Sequence, residues 1–374
     1  MDIRQFEKST IKTKVKGMVE NCDSLRKNTD NPIDINFESY LKKKEGMSLS
    51  ALFEDLGIDP SMDTIENIFT LPDASVRWLI PEIFREALRL GMRKNPIWQN
   101  VVAAEQSVKQ LSLTLPYLNM SDAAPKYVGE AETIPLGNIS FGQKSLKLRK
   151  IGRGIKIPYE VRQYVSLNVV SIFLQDFGVK LNHAIDALMI SVLINGEQAD
   201  GSESAPVIGI TTPGTLTYAD LLRIWIRMSR IGRIPTIMIG GETAALNTLN
   251  LTEFKTNQFG GTQPAGVPAN SIIKLKSPIP ASSDYYIHGS MPTNQQLIID
   301  PSASIIKYNA QPLLVESEKI VSNQTEATYA TLTTGFGIVF RDARVLLDTS
   351  LDFDTTNGFP SYMDVDALEN VTID

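Results

Sequence analysis

Apolar residues recur at helical spacing in three stretches of the chain. The spacing predicts a helix from Asp73 to about Arg93, with Pro81 in its first turn, and another from Thr217, a capping residue, to about Ile231. Between them, Pro158 to Ile194 carries a continuous helical pattern in which Gly178 marks a bend or close packing. At about 1.5 Å per residue that helix would be about 50 Å long, far beyond the average globular helix. We expect it to act as a strut as well as a core element.

Short apolar and β-branched runs predict strands elsewhere. One half-buried strand is expected from Gln106 to Leu115, and a buried strand from Pro235 to Ile239 precedes a short helix from Glu242 to Leu251. The last third of the chain is mostly strand, in the runs Ser271 to Leu275, Asp284 to His288, Gln296 to Ile299, Ser304 to Tyr308 and Thr328 to Phe340. This order predicts an α+β protein with a compact α/β unit in its middle.

The segment from Pro116 to Pro158 is rich in glycine, has few large apolar residues, and has strand-like pieces on either side of turns. This pattern predicts a long two-stranded arm. A two-stranded hairpin is marginally stable alone, so we expect a partner outside its own domain to stabilise it.

Both ends of the chain are polar. Residues 1–72 predict a loosely folded extension with short helices, one of them from Ser48 to Leu56. From Val345 to Asp374 every charged side chain is acidic, which predicts a self-repelling tail that favours solvent or a basic neighbour.

Composition narrows the class of protein. The chain has 374 residues, 43% of them hydrophobic, and a formal charge of −6, which argues against a surface built throughout to bind nucleic acid. Cys22 is the only cysteine, so an intrachain disulfide and a four-cysteine zinc site are excluded. The first residues do not resemble a secretory signal, and no run was expected to reach the ~20 apolar residues of a membrane helix.

The motifs of common active sites are missing from the sequence. His183 and His288 are interpreted as packing or surface residues, and no phosphate-binding glycine loop occurs. Asp352 and Asp354 resemble the start of a calcium loop, but the closing glutamate is missing at the expected spacing. We therefore expect no catalytic residue, no cofactor and no metal, and a protein that is not an enzyme.

The order of elements resembles the Hong Kong 97-type major capsid proteins of tailed phages, over roughly Asp73 to Asp348. The residues that carry the resemblance are Glu130 to Pro135, similar to the start of the family's extended loop; Lys150 to Pro158, its return strand; Tyr159-Glu160, the start of its spine helix; Ala187 to Gly196 with Ala205 to Ile210, the entry to its axial domain; and Phe336 to Ala343, a late strand of its peripheral domain.

The resemblance implies a division of the chain. Its parts would be an N-terminal extension (1–72), an N-arm and first strand (73–115), the extended loop (116–157), the spine helix of the peripheral domain (158–204), the axial domain (205–300), peripheral strands (301–348) and an acidic tail (349–374). Residues 1–72 could be a scaffolding segment that a protease removes, but we expect them to be retained.

The resemblance also implies partners. The chain would assemble with itself as hexamers and pentamers in a virion capsid built in the host cytoplasm, with portal, scaffold and cementing proteins, packaged double-stranded DNA on the inner face, and no membrane. Loop residues expected at subunit contacts are Glu130, Glu132, Lys144, Lys147, Arg149, Lys150, Arg153 and Lys156. Their basic members are expected to pair with acidic neighbours, such as the tail residues Asp352, Asp354, Asp364 and Asp366, rather than with DNA.

Other possibilities stay open at the level of the sequence. Lys144, Lys147 and Lys150 are placed for the isopeptide cross-link of some relatives, but no matching acid and asparagine set is found. An encapsulin-like compartment shares the fold. An α/β enzyme with acids near Asp220 and Glu242 is the alternative from another class.

Overall fold

The structure of the protein is a computed structural model. It describes residues 15–26, 36–64, 66, 79–110, 112–118, 130, 139–197, 204–255, 272–275, 283–320, 322 and 324–353. The α+β class expected from the sequence is confirmed.

The helices lie in the first two thirds of the chain. They are α1 (residues 15–26), α2 (Phe37–Tyr40), α3 (Leu49–Leu56), α4 (Leu79–Met92), α5 (Trp98–Val101), α6 (Tyr159–Tyr164), α7 (Leu167–Asn195), α8 (Tyr218–Arg230), α9 (Glu242–Leu249) and α10 (Thr252–Lys255). A π-helical turn, Leu41–Glu45, continues α2.

The strands are β1 (Ala104–Ser107), β2 (Ser112–Leu118), β3 (Ile139–Lys147), β4 (Arg149–Pro158), β5 (Val207–Ile210), β6 (Ile237–Gly240), β7 (Ile272–Leu275), β8 (Ser283–Ile287), β9 (Gln295–Ile299), β10 (Ile305–Ile320), β11 (Thr325–Ile338) and β12 (Arg344–Asp352). The single strand predicted from Gln106 to Leu115 is therefore two strands, β1 and β2. Strand β11 runs through Gly335.

Two larger sheets form the body. One has the order β1-β10-β11-β4, in which β1 is parallel to β10 and the other pairs are antiparallel. The second has the order β5-β12-β9-β6-β8-β7. Strand β12 lies inside this second sheet, between β5 and β9, and it runs from Arg344 to Asp352.

The six-stranded sheet is covered on both faces. Helix α8 packs Leu221 and Trp225 against one face. The second half of α7 packs Ile185 and Met189 in a cluster that holds residues of the other face, such as Leu297. Helix α8 begins as predicted, because the Thr217 side chain accepts from the Asp220 backbone in a reciprocal capping box.

Helix α7 connects the two sheets. It has 29 residues, about 44 Å, and packs its first half in one hydrophobic cluster and its second half in another. The predicted long helix is interrupted at Val165 and Ser166, so that α6 is separate from α7. By length and composition α7 could cross a membrane, contrary to the expectation from the sequence, although 56% of its most apolar window is buried inside the protein.

The N-terminal residues belong to the core. The buried side chains of Val15, Met18, Val19 and Cys22 on α1 join one cluster with residues of α4 and α7, among them Leu88 and Leu174. Residues of α2 and α3, including Phe37 and Leu52, are buried in the same cluster. The prediction of a loosely folded arm is therefore wrong for the described part of residues 1–72.

The N-terminal segment also caps α7. The first N–H groups of a helix have no partner within the helix. Ser166 at the cap makes no side-chain hydrogen bond. Instead the carbonyl oxygens of Asp63 and Pro60 accept from the N–H groups of Leu167 and Asn168, each at 3.1 Å.

Candidate subunit-interaction surface

Strands β2 and β3 form a two-stranded arm. They are antiparallel, with Ser112 opposite Lys147 and Leu118 opposite Ile139, and in the part of the chain that the structure describes they join no other strand. The base of the arm is anchored by a small apolar cluster that contains Leu146, Leu148 and Tyr308. A two-stranded arm is therefore present, with its strands at Ser112–Leu118 and Ile139–Lys147 instead of across the whole predicted segment from Pro116 to Pro158.

The arm is continuous with the body. Strand β3 ends at Lys147 and β4 begins at Arg149, so Leu148 alone separates the arm from the four-stranded sheet. Leu148 is buried and fits against Gly335, where an added Cβ would lie 2.6 Å from Leu148 Cδ2. A larger residue at 335 would push on the junction of arm and sheet.

The basic residues assigned to the extended loop are divided by this junction. Lys147 lies at the base of the arm, whereas Arg149, Lys150, Arg153 and Lys156 lie on β4, an edge strand of the four-stranded sheet. All five are exposed. The four residues on β4 are therefore part of the four-stranded sheet, whereas Lys147 belongs to the arm. Glu130 is exposed, and Glu132 and the side chain of Lys144 lie outside the described residues.

A groove of about 430 Å³ runs between β4 and the start of α7. Its wall includes the apolar residues Ile155, Val161, Phe173 and Phe177, and its rim carries the charged residues Arg153, Lys156, Asp176 and Lys180. Beside it the first half of α7 exposes large apolar side chains, with Ile172 63% and Phe173 68% exposed. Such a patch on a protein surface commonly marks a site of protein contact.

The expected acidic tail is only partly within the structure. Asp352 ends strand β12, where it is opposite Ile210 of β5, and so it is not in a tail. Asp354, Asp364 and Asp366 lie outside the described residues. Asp352 lies on the six-stranded sheet, whereas the basic residues of β4 lie on the four-stranded sheet.

Asp220 and Glu242, the acids considered for an α/β enzyme, both lie at the starts of helices. Burial alone would raise the pKa of Asp220, but hydrogen bonds from Thr211 and Thr217 hold it below its ordinary value. Both Thr hydroxyls donate to its carboxylate at 2.6 Å. Asp220 thus caps α8 and fixes the preceding turn, and Glu242 is an exposed residue at the start of α9.

Both histidines of the chain lie at one place. His183 of α7 and His288, which follows β8, have ring centroids 5.6 Å apart, and Asp186 lies one turn along α7. The interpretation of each as an isolated packing or surface residue missed this cluster. The spacing of His183 and Asp186 was visible in the sequence, but nothing in it placed His288 beside them.

Several solved structures are similar to parts of this chain. No family model and no curated protein matches the chain. The virus-like particle from Pyrococcus furiosus is 12% identical, with a TM-score of 0.46, over 71% of this chain and 98% of that chain. The bacteriophage PhiM1 mature capsid is 10% identical, with a TM-score of 0.48, over 68% and 87%. The SrpI encapsulin from Synechococcus elongatus is 10% identical, with a TM-score of 0.48, over 72% and 92%.

Proposed function

We propose that this chain is the shell-forming subunit of a closed icosahedral particle, the major capsid protein of a tailed double-stranded DNA phage. The observation that carries the proposal is the two-stranded arm formed by β2 and β3. Because a lone hairpin of this kind is marginally stable, its natural place is on the surface of another subunit. A protein with such an arm needs a neighbour.

The groove between β4 and α7 supplies a matching surface on that neighbour. In an assembled shell, the arm of one subunit lies over the exposed apolar residues Ile172 and Phe173 of the next. The basic rim, with Arg153, Lys156 and Lys180, then meets the acids Glu130 and Glu132 of the segment between the arm strands. Each exposed ion pair contributes only ~0–1 kcal/mol, so the buried apolar area decides the strength of the contact.

The shell proposal defines the remaining partners. Closed assemblies need surfaces whose rotations close on themselves, which hexamers and pentamers of one chain satisfy. In this proposal residues 205–300 together with β12 point to the centre of each ring, and the particle is assembled in the host cytoplasm. Portal, scaffold and cementing proteins would complete it around DNA, and the protein acts as a structural element and not as an enzyme.

Electron microscopy of the purified chain, alone and then coexpressed with its genomic neighbours, tests the proposal. We expect closed thin-walled particles, or rings of five and six subunits. A chain that stays a monomer or small oligomer in both settings would overturn it. Particles that copurify with an enzyme cargo instead of DNA would favour an encapsulin-like compartment.

Two substitutions at Phe173 can separate a loss of the subunit contact from a loss of folding. Phe173→Glu places a charge in the apolar contact and should abolish assembly, whereas Phe173→Leu keeps the site apolar and should assemble. Because Phe173 is largely exposed, both variants should unfold near the wild-type temperature. Assembly of Phe173→Glu to wild-type particles would exclude the groove as a subunit contact.

A further inference from the structure

We propose that His183, Asp186 and His288 bind a divalent transition-metal ion of the zinc class, which ties α7 to the turn after β8. One ligand atom from each residue can be chosen so that all three lie within 4.8 Å of one another. Zinc with nitrogen and oxygen ligands at 2.0–2.2 Å requires about 3.4 Å between ligand atoms. A shift of about an ångström in the side chains would therefore close the site.

The Nε2 atom of His288 is buried and available to bind a metal ion. Its residue is only 6% exposed, and within the described part of the chain its Nε2 has no hydrogen-bond partner. A buried polar atom without a partner destabilises the fold, and a metal bond would give Nε2 a partner. Burial, together with the nearby His183, lowers the pKa of His288, and a backbone hydrogen bond with His183 opposes that shift.

Asp186 offers one oxygen. Its Oδ1 accepts from the backbone N–H of Trp98 at 2.9 Å, whereas Oδ2 has only contacts at 3.5 Å, from the Ile97 and Asn182 nitrogens. Burial raises the pKa of Asp186 to about 6, against the backbone hydrogen bonds from Trp98 and Ile97. The nearby charge of Lys307 opposes a cation, but Glu105 lies 3.8 Å from Lys307 and offsets it.

Binding changes the tautomer of His288. At present the Ser290 N–H donates to Nδ1 at 3.1 Å, so in the neutral ring the proton is on Nε2. When Nε2 binds the metal, its proton moves to Nδ1 and the bond from Ser290 is lost. Ser290 is exposed, so water can accept from its N–H.

The ligand set selects the kind of metal. Two imidazoles and a carboxylate suit zinc, cobalt, nickel or copper better than magnesium or calcium, which prefer oxygen. His183 is exposed, so a water molecule can occupy the fourth position. His183 and Asp186 are on α7, and His288 follows a strand of the six-stranded sheet. The ion would therefore strengthen the connection between α7 and that sheet. This site does not depend on shell formation.

Metal titration of the full chain tests the proposal. Tag-free protein is treated with chelator, dialysed, and titrated with ZnCl₂ by calorimetry and with CoCl₂ by visible absorption. We expect one zinc per chain, with a dissociation constant of about micromolar or lower, cobalt d–d bands, and a higher unfolding temperature with zinc.

Two variants locate the ion. His183→Ala and His288→Gln should each weaken zinc binding at least about tenfold and remove the zinc-dependent rise in unfolding temperature. Asp176→Asn, an exposed acid on the same helix, should bind as the wild type does. Because His183 is exposed, its variant should fold even if His288→Gln does not. Absence of zinc binding, unchanged binding by His183→Ala, or competition by equimolar MgCl₂ would overturn the proposal.

Discussion

Gly178 of α7 lies directly against Gly91 of α4. A Cβ added at Gly178 would be 3.1 Å from Gly91 Cα and 2.2 Å from the carbonyl oxygen of Leu88. In the other direction, a Cβ at Gly91 would be 2.0 Å from the carbonyl oxygen of Gln175. The two helices cross with their backbones in contact, which only glycine permits on both sides.

Gly178→Ala should therefore force the helices apart. Overpacking of this kind costs about 1–3 kcal/mol, and we expect a loss of that size in the free energy of unfolding, measured by urea denaturation. Gly17→Ala is the matched control, since Gly17 lies in α1 with nothing within 4 Å of its added Cβ. It should stabilise the protein by about 0.5–1 kcal/mol. Equal effects of the two substitutions would contradict the close crossing.

The buried carboxylate of Glu82 should contribute strongly to the stability of the N-terminal core. It is 4% exposed, and both terminal nitrogens of Arg26 donate to its carboxylate, at 2.9 and 2.8 Å, while Arg85 donates to the same group. Glu82→Ala leaves two largely buried guanidinium groups without this partner and should destabilise the protein by about 3–5 kcal/mol. Glu38→Ala removes only an exposed pair with Lys42 and should change stability by less than about 1 kcal/mol. Chemical denaturation of both variants measures the difference.

Removal of the N-terminal segment should damage the whole protein. A chain that begins at residue 73 lacks the buried side chains of α1, α2 and α3, and it exposes the apolar surface of α4 and α7 that they cover. We expect aggregation, or loss of cooperative thermal unfolding, by calorimetry. Wild-type behaviour of the shorter chain would mean that the segment is dispensable after folding.

Lys307 should make stability depend on pH in the alkaline range. Its Nζ lies 3.1 Å from the centroid of the Trp98 ring, and burial lowers its pKa to about 8, against the attraction of Glu105 and Asp186. Between about pH 8 and the ordinary lysine pKa of about 10.4, the unfolded chain binds more protons than the folded one, so stability should rise with pH. Lys307→Met should lack this rise. Urea denaturation at pH 7.5 and 9 compares the two proteins, and identical slopes would show that Lys307 titrates normally.

Local signals in the sequence predicted local structure well. Thr217 starts α8 because its cap needs only Asp220, three residues away, and Pro81 lies in the first turn of α4 as expected. The helical spacing of Val15, Met18, Val19 and Cys22 was equally readable, but the many charges around it concealed the buried face of α1.

Features that depend on distant residues were not predictable. The run Val345, Leu346 and Leu347 becomes a central strand only because β5 and β9, from far earlier in the chain, lie on either side of it. His288 meets His183 for the same reason. The interruption at Ser166 also had a distant cause, since its capping carbonyls come from residues 60 and 63.

Hydrogen exchange at the start of α7 reports on the N-terminal segment, because two carbonyls of that segment accept hydrogen bonds there. The amide protons of Leu167 and Asn168 are bonded to Asp63 and Pro60, so they can exchange with deuterium from solvent only when the N-terminal segment lifts away. Their exchange rates, measured by mass spectrometry, therefore report how often the segment around residues 60–63 detaches from α7. A partner, ion or maturation event that holds the N-terminal segment more tightly should slow the exchange of these two amides, and one that releases the segment should speed it.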